Sequence, residues 1–348
     1  MFKKIALGIV GVLAVLIVWQ WELVRYGWMQ ARGQLRILWH TKPVTEVLAS
    51  PAYPDSVKRK IKLIQEIKRF AVDSLGLDKS GSYESFYDQQ GNPILWVITA
   101  AEPYRLIGKQ WDFPIIGTFS YKGFFEKDWA DSTVVALKRE GWDTRVGEVS
   151  AWSTLGFLND PILSSFLDRS EGSLAELLIH ELTHGTLFIK NSLEYNENLA
   201  DFVGEYGAQR FLAQKYGKLS VPYQNYMSTK AFYERYDDHI LRGTRTLDSV
   251  YRTFKPATPI AIKDSLKWQT IQQIVVSADT LRNESDQQHV RSIKKRRLDK
   301  LNLPNNAYFI GYLTYRKQQN RFRQECENQF GGDFKRYLTY LKQTYPSL

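Results

Sequence analysis

The chain has 348 residues, of which 43% are hydrophobic, and carries a formal net charge of +10 at neutral pH. This length and apolar content suffice for a full core, and 14% aromatic residues exclude a disordered chain. Cys326 is the single cysteine, which excludes an intrachain disulfide and a cysteine-rich zinc site. Basic residues are spread along the chain and no nucleic-acid-binding motif is present, so we predict no nucleic-acid partner. No obligate protein partner is evident either.

The N-terminus predicts a membrane anchor. Ile5–Trp21 is an uncharged, nearly unbroken apolar run of 17 residues after Lys3 and Lys4, at the short end of what spans a bilayer. The Trp and Tyr residues that follow are typical of an interfacial belt. A cleaved signal peptide is the alternative, but no small-residue cleavage site follows the run, which favours an anchor over residues 1–28. We therefore expect a single-pass membrane protein that contacts lipid through this helix, with an extracytoplasmic domain.

Residues 29–348 predict one α+β domain, mostly helical with a small sheet. The sheet and the helix that carries the chemistry fall in 90–216, and 217–348 is a helical C-terminal part. Periodicity predicts helices near 56–75, 127–140, 227–253 and 265–282, and strands near 95–100, 113–121 and 144–152.

The end of the last predicted strand is a candidate substrate-binding edge. Peptide substrates commonly add a strand to an exposed sheet edge, where backbone hydrogen bonds give affinity without sequence preference. We assign this role to Ser150, Ala151 and Trp152, just ahead of the next helix. An ordinary interior strand is the open alternative.

The next predicted helix, residues 174–190, begins at a capping signal. Ser173 followed three residues later by Glu176 predicts a capping box, and apolar residues recur at helical spacing after it. Functional residues in this stretch are therefore expected on a helix rather than on a loop.

This helix contains an HExxH pattern, His180-Glu181-Leu182-Thr183-His184. Two histidines four residues apart lie on one helix face, so both imidazoles can bind one metal ion. Glu181 lies beside the first ligand, where a general base can take a proton from metal-bound water. A core helix with two hydrogen-bonded imidazoles is the alternative interpretation.

A second helical pattern, at about 196–214, supplies a third ligand. Glu197 lies 13 residues after His184, and a carboxylate from a neighbouring helix commonly completes the three protein ligands of a catalytic zinc site. Asp201, one turn further on, can accept the second N–H of a ligating histidine and fix its tautomer. The alternative is a solvated acidic stripe that also includes Glu205.

The C-terminal region offers an oxyanion donor. A helical pattern begins near Asn305 and contains Tyr312 and Tyr315. In zinc peptidases a hydrogen-bond donor stabilises the oxyanion that forms when water adds to the scissile carbonyl. We assign this role to Tyr315. Packing of its ring in the core is the competing interpretation.

Several stretches resemble a bacterial family of predicted membrane-associated aminopeptidases, a gluzincin-like group. The stretches are 33–35, 42–44, 113–117, 121–123, 150–156, 180–184, 196–197 and 305–307 with Tyr315. The resemblance implies a gluzincin-like zinc metallopeptidase domain with His180, His184 and Glu197 as metal ligands and Glu181 as the catalytic residue. It also implies a bacterial inner membrane as the location, with the domain on the periplasmic side.

Together these patterns predict a membrane-anchored zinc metallopeptidase, an aminopeptidase by the resemblance, that acts on peptides with Zn²⁺ as cofactor. No Gly-x-Met-Glu-Asn stretch for gripping a free amine is present, which leaves endopeptidase activity open. Two rivals remain. One is a membrane-bound scaffold or binding protein with a structural or inert zinc site, and the other is a zinc hydrolase of non-peptide amides.

Overall fold

The computed structural model describes residues 18–113, 117–149, 159–190, 192–281, 303–315 and 319–345. Within them the longer helices are α1 (Trp21–Trp39), α2 (Val44–Ala49), α3 (Asp55–Asp73), α4 (Lys127–Arg139), α5 (Glu171–His184), α6 (Leu193–Tyr216), α7 (Val221–Arg252), α8 (Ile260–Ala278), α9 (Asn306–Tyr315), α10 (Gln319–Phe330) and α11 (Phe334–Thr344). The strands are β1 (Lys42–Pro43), β2 (Ser85–Tyr87), β3 (Trp96–Ala101), β4 (Trp111–Phe113), β5 (Gly117–Phe119), β6 (Lys122–Phe124), β7 (Asp143–Glu148) and β8 (Ile162–Leu163).

The described strands form three small sheets. One has the order β1-β2-β8, with β2 and β8 parallel. The second has the order β6-β3-β7 and is antiparallel, and β4 pairs with β5. Strand β7 is therefore an edge strand of its sheet within the described part of the chain. The molecule is mostly helical with small sheets, as an α+β assignment requires.

Three apolar clusters hold these elements together. The largest lies between α3, α5, α6, α10, α11 and the β1-β2-β8 sheet, and it includes Ile64, Leu178, Leu182, Phe202 and Tyr337. A second packs α1 and α4 on the antiparallel sheet. The third joins α7, α8 and α9. The two helices with the candidate ligands, α5 and α6, thus lie in the largest core, which fixes them from several sides.

The predicted transmembrane helix is wrong as an element of this fold. In the part of the chain that the structure describes, no helix is both long and apolar enough to cross a membrane. Residues 1–17 of the predicted anchor lie outside the described residues. Helix α1, which begins at Trp21, carries Glu22 and three arginines, and buries Met29, Gly33 and Ile37 against the domain.

Tyr26 does not belong to an interfacial belt. Its hydroxyl donates to the Gly123 carbonyl at 2.8 Å, and its ring stacks on Phe113 at 5.6 Å and meets Phe124 edge-on. Gly33 makes this approach of α1 possible, because a Cβ there would lie 2.2 Å from the Phe125 ring. Tyr26, which the sequence pattern places in a membrane-surface belt, thus packs α1 on the sheet, whereas Trp19, Trp21 and Trp28 are exposed.

Other boundaries also differ from the prediction. The stretch 113–121 is not one strand: β4 and β5 form a hairpin that surrounds residues 114–116, which lie outside the described residues, and β6 follows. Gly117, with φ of 88°, starts β5 in a conformation that favours glycine. A single hydrophobic run predicts one strand, whereas Gly117 at the start of β5 pairs with Phe113 at the end of β4.

A buried ion pair joins the antiparallel sheet to the C-terminal helices. Lys267 is 2% exposed, and its Nζ lies 2.6 Å from Asp143 Oδ2. The same oxygen accepts from the backbone N–H of Asn306 at 3.0 Å. The Asn306 amide donates to the Glu102 carbonyl and accepts from the Tyr251 hydroxyl. Asn306 thus connects α7 and α9 with the end of β3, which gives it a structural role.

Lys267→Met is expected to lower the free energy of unfolding by roughly 3–5 kcal/mol, because it leaves the Asp143 charge buried without its partner. Denaturant unfolding measures this loss. Lys127→Met is the matched control, because the Lys127–Asp131 pair is more than half exposed and should contribute less than about 1 kcal/mol. Equal losses of unfolding free energy in the two variants would show that the buried Lys267–Asp143 pair stabilises the fold no more than the exposed Lys127–Asp131 pair.

Candidate metal centre

Helix α5 presents the histidines of the HExxH pattern. It begins at Glu171, because the Ser170 side chain caps it by accepting from Ser173 N at 3.3 Å. The predicted capping box at Ser173 and Glu176 is therefore wrong by one turn, and both residues lie inside the helix. The helix also ends earlier than predicted, at His184, so the second histidine occupies its last turn.

Helix α6 crosses close to α5 because glycine occupies the contact. A Cβ on Gly204 would lie 2.7 Å from the Glu176 carbonyl oxygen and 3.2 Å from His180 Cβ. Gly207, one turn on, faces Leu75 and Ile179 side chains at similar distances. Only residues without a side chain let the two backbones approach this closely, and this approach brings acids of α6 within reach of α5.

Two imidazoles and one carboxylate converge between these helices. His180 Nε2 lies 3.1 Å from His184 Nε2, and each of these nitrogens lies 3.6 Å from an oxygen of Glu197. A tetrahedral zinc ion with bonds of 2.0–2.1 Å separates its ligand atoms by about 3.3–3.4 Å. The two 3.6 Å distances end at different oxygens of Glu197, Oε2 for His180 and Oε1 for His184, and together with the 3.1 Å distance they bracket that separation. Among the described residues these three side chains are the group that could hold a metal ion.

Asp201 orients the first of these rings. Its Oδ1 lies 2.9 Å from His180 Nδ1, so Nδ1–H donates to this carboxylate and Nε2 faces Glu197 and His184. A carboxylate in this position is the usual outer partner of a ligating histidine.

The charges of the group fit a cation. Burial lowers the pKa of His180, but the hydrogen bonds to Asp201 and Glu197 outweigh it and raise that pKa to about 10. On His184, burial and the adjacent His180 charge lower the pKa to about 4. The acidic side chains therefore favour a positive charge between them, which a proton on His180 supplies. A divalent ion can take the place of that proton and release it. Imidazole and carboxylate donors suit zinc.

The loop between the two helices is clamped at its centre. Ile189 N donates to Asn196 Oδ1 at 2.9 Å, and Asn196 Nδ2 donates back to the Ile189 carbonyl at 2.8 Å. Asn196 is 1% exposed. Because it immediately precedes Glu197, this pair of hydrogen bonds fixes the start of α6 relative to the end of α5.

An ion network continues behind the ligands. Glu176 lies one turn before His180, and Glu205 lies one turn after Asp201. Lys230 of α7 bridges the two glutamates, with Nζ at 2.8 Å from Glu176 Oε1 and 3.5 Å from Glu205 Oε2. Two acids that face each other across the helix pair would repel, and the bridging ammonium removes that repulsion.

The carboxylates of the site raise the pKa of two buried phenols that sequence patterns did not single out as site residues. Burial, and then the charge of Glu197, raises the pKa of Tyr121 to about 12, with Glu181 contributing. Burial, and then the charge of Glu181, raises the pKa of Tyr83 well above its ordinary value. Both residues lie in short segments beside strands, without any periodic signal that predicts a contact with α5.

Other predicted site residues are not placed. Ser150, Ala151 and Trp152 lie outside the described residues, although β7 leads towards them from the edge of its sheet. Tyr315 ends α9, and its side chain lies outside the described part. The roles assigned to these four residues stay predictions.

Gly204→Ala is expected to push α6 away from α5 and to weaken zinc binding, because the new Cβ meets backbone at 2.7 Å. Overpacking of this kind costs about 1–3 kcal/mol of stability. Zinc affinity by calorimetry and thermal unfolding measure the two effects. Gly185→Ala is the control: it adds a methyl at the end of α5, where the nearest atom is 3.7 Å away and φ is −73°. Unchanged zinc affinity in Gly204→Ala would contradict the proposed tight crossing.

Two crossing helices that bring two imidazoles and a carboxylate together, with a glutamate beside them, define a candidate centre for metal-assisted hydrolysis. The chain belongs to the protein family described as "Putative aminopeptidase", whose family model matches residues 25–345. No curated protein and no solved structure gives a significant match. Family membership indicates a peptidase, with peptides as substrates.

Proposed function

We propose that the protein is a zinc-dependent aminopeptidase in which His180, His184 and Glu197 hold the metal ion. The observation that carries this proposal is the convergence of His180 Nε2, His184 Nε2 and the Glu197 carboxylate, with contacts of 3.1, 3.6 and 3.6 Å between them. Three protein ligands leave a position for water or substrate, as in catalytic rather than structural zinc sites. When bound, the ion supplies a Lewis acid that polarises the scissile carbonyl and acidifies water.

The protein's own residues then move the proton. Glu181, next to His180 and not among the ligands, accepts the proton of the attacking water and later delivers it to the leaving amine. Asp201 keeps the proton on His180 Nδ1, so Nε2 remains a donor of its lone pair to the metal. Oxyanion stabilisation by Tyr315 and substrate binding by Ser150, Ala151 and Trp152 are further parts of the proposal.

Digestion of a defined peptide library tests this function. The wild-type protein with zinc is incubated with the mixture, and each product is read at both ends. An aminopeptidase removes single residues from free N-termini and spares peptides whose N-terminus is acetylated. Cleavage inside acetylated peptides would reject the exopeptidase assignment. Bound zinc without any peptide cleavage would reject peptidase activity and favour an inert site or a non-peptide amide substrate.

A further inference from the structure

The side-chain contacts between α5 and α6 recur once per helical turn. His184 Nε2 lies 3.6 Å from Glu197 Oε1, and His180 Nδ1 lies 2.9 Å from Asp201 Oδ1. His180 is four residues before His184, whereas Asp201 is four residues after Glu197. The two helices therefore run antiparallel, and side chains four residues apart form successive pairs across them.

The next pair in this series consists of two acids. Glu176 is four residues before His180 on α5, and Glu205 is four residues after Asp201 on α6. Two carboxylates that face each other across a helix pair repel. At this level the series would therefore push the helices apart, one turn from the residues that converge on the metal centre.

Lys230 of α7 reverses the sign of this contact. Its Nζ lies 2.8 Å from Glu176 Oε1 and 3.5 Å from Glu205 Oε2. None of the three side chains is more than 29% exposed, so water and salt screen their charges less than on an open surface. One ammonium thus attracts both acids and turns a repulsive pair into a link between the helices.

The other oxygen of each acid is held separately. The Tyr226 hydroxyl donates to Glu176 Oε2 at 3.0 Å, and Arg323 of α10 donates to Glu205 Oε1 at 2.7 Å. Neither carboxylate can turn away from the other without breaking one of these hydrogen bonds. Removal of Lys230 would therefore leave both charges in place, with the guanidinium still beside Glu205 but only a neutral hydroxyl beside Glu176.

The pair of acids also lies where the two backbones are closest. A Cβ on Gly204, the residue before Glu205, would lie 2.7 Å from the Glu176 carbonyl oxygen and 3.2 Å from His180 Cβ. A repulsion at this level acts directly on the crossing that holds His180 against Asp201.

We propose that Lys230 is a positioning residue for the metal centre. Its ammonium holds Glu176 and Glu205 together, and with them the separation of α5 and α6 one turn from the ligands. The inference rests on the proposed function, since it takes the convergence of two imidazoles and a carboxylate as the metal site. It adds a residue of a third helix, outside both ligand-bearing segments, to the groups that prepare this site.

Lys230→Met tests this role, because it keeps an unbranched side chain of similar length and removes the charge. Lys230→Met combined with Glu176→Gln removes the repulsion as well, and Glu176→Gln alone completes the cycle. For each full-length variant, zinc affinity is measured against a competing chelator at a temperature at which the protein is folded. The melting temperature is measured on the same preparation.

Lys215→Met is the matched control. Lys215 lies in the last turn of α6, far along the helix from Glu197, and pairs with Glu66 of α3. The two side chains are 30% and 38% exposed, so this ion pair also joins two helices from a partly buried position. Its loss should change the melting temperature without changing zinc affinity.

We expect Lys230→Met to weaken zinc binding about tenfold, at the lower end of the effect of residues that support a metal ligand. Glu176→Gln in the same chain should restore most of the lost affinity, because one acid then remains and Arg323 still neutralises it. A role in packing alone would lower the melting temperature of Lys230→Met but would not be relieved by Glu176→Gln.

Wild-type zinc affinity in Lys230→Met overturns the inference. An equal loss of affinity in Lys215→Met, or no recovery on adding Glu176→Gln, overturns it too. If Lys230→Met does not fold, the combined variant decides: affinity near that of the wild type supports the inference, and a tenfold loss rejects it. A wild-type protein that binds no zinc overturns the proposed function itself and this inference with it.

Discussion

Replacing Glu181 with glutamine is expected to lower kcat for peptide hydrolysis by about 10²–10⁴-fold, the usual contribution of a positioned general base. Glutamine has almost the same size but cannot accept the proton of the attacking water. The Glu181 carboxylate is not part of the triangle formed by His180, His184 and Glu197, so zinc content should stay at the wild-type level. Steady-state kinetics on a peptide substrate and metal analysis of the same preparation measure both quantities.

Glu194→Gln serves as the control for this substitution, because Glu194 lies exposed in the first turn of α6. It changes the net charge by the same amount and should leave kcat unaltered. Wild-type activity in Glu181→Gln, at full zinc occupancy, would show that another group activates the water.

Replacing Glu197 with alanine is expected to abolish stoichiometric zinc binding. It removes one of three protein ligands and leaves two imidazole nitrogens 3.1 Å apart without an anion to balance the ion. Asp201→Asn should have a smaller effect, about 10–100-fold in zinc affinity, because Asp201 bonds a ligand rather than the metal. Zinc titration against a competing chelator ranks the wild type and the two variants.

The order of the three zinc affinities distinguishes a metal ligand from a residue that only bonds a ligand. If Glu197→Ala binds zinc like the wild type, a different acid completes the site. If Asp201→Asn loses as much affinity as Glu197→Ala, Asp201 acts as a ligand itself, and the outer role that its 2.9 Å contact with His180 Nδ1 indicates is wrong.

Local periodicity was sufficient to predict that His180, His184 and Glu197 lie together as a group that could hold a metal ion. Four-residue spacing on one helix places His180 and His184 on the same face, and the next helical segment brings Glu197 and Asp201 to them. The close crossing of α5 and α6 was not predicted, because it depends on which glycine faces which backbone atom. In the sequence, Gly204 is only a weak helix former in the middle of a helical pattern. Its packing role follows from the Glu176 carbonyl oxygen that it faces in the structure.

Tyr83 and Asp160 lay beyond local reasoning for a related reason. They are 77 residues apart in sequence, and Tyr83 N donates to the Asp160 carbonyl at 2.6 Å just ahead of the parallel strands β2 and β8. Strands of two or three residues carry too short a pattern to predict such pairing. The predicted anchor rested on the apolar run Ile5–Trp21, of which residues 5–17 lie outside the described residues. In the helix that follows, Tyr26 packs on Phe113 of the domain itself.

The proposed function requires that hydrolysis depends on a metal ion at this centre. The decisive measurement is the rate of peptide cleavage by the wild-type protein before chelation, after removal of the metal, and after addition of one equivalent of zinc. We predict loss of cleavage on chelation and recovery with zinc, and no recovery in Glu197→Ala. Cleavage that continues at the original rate in protein shown to contain no metal would contradict the proposed zinc-dependent hydrolysis.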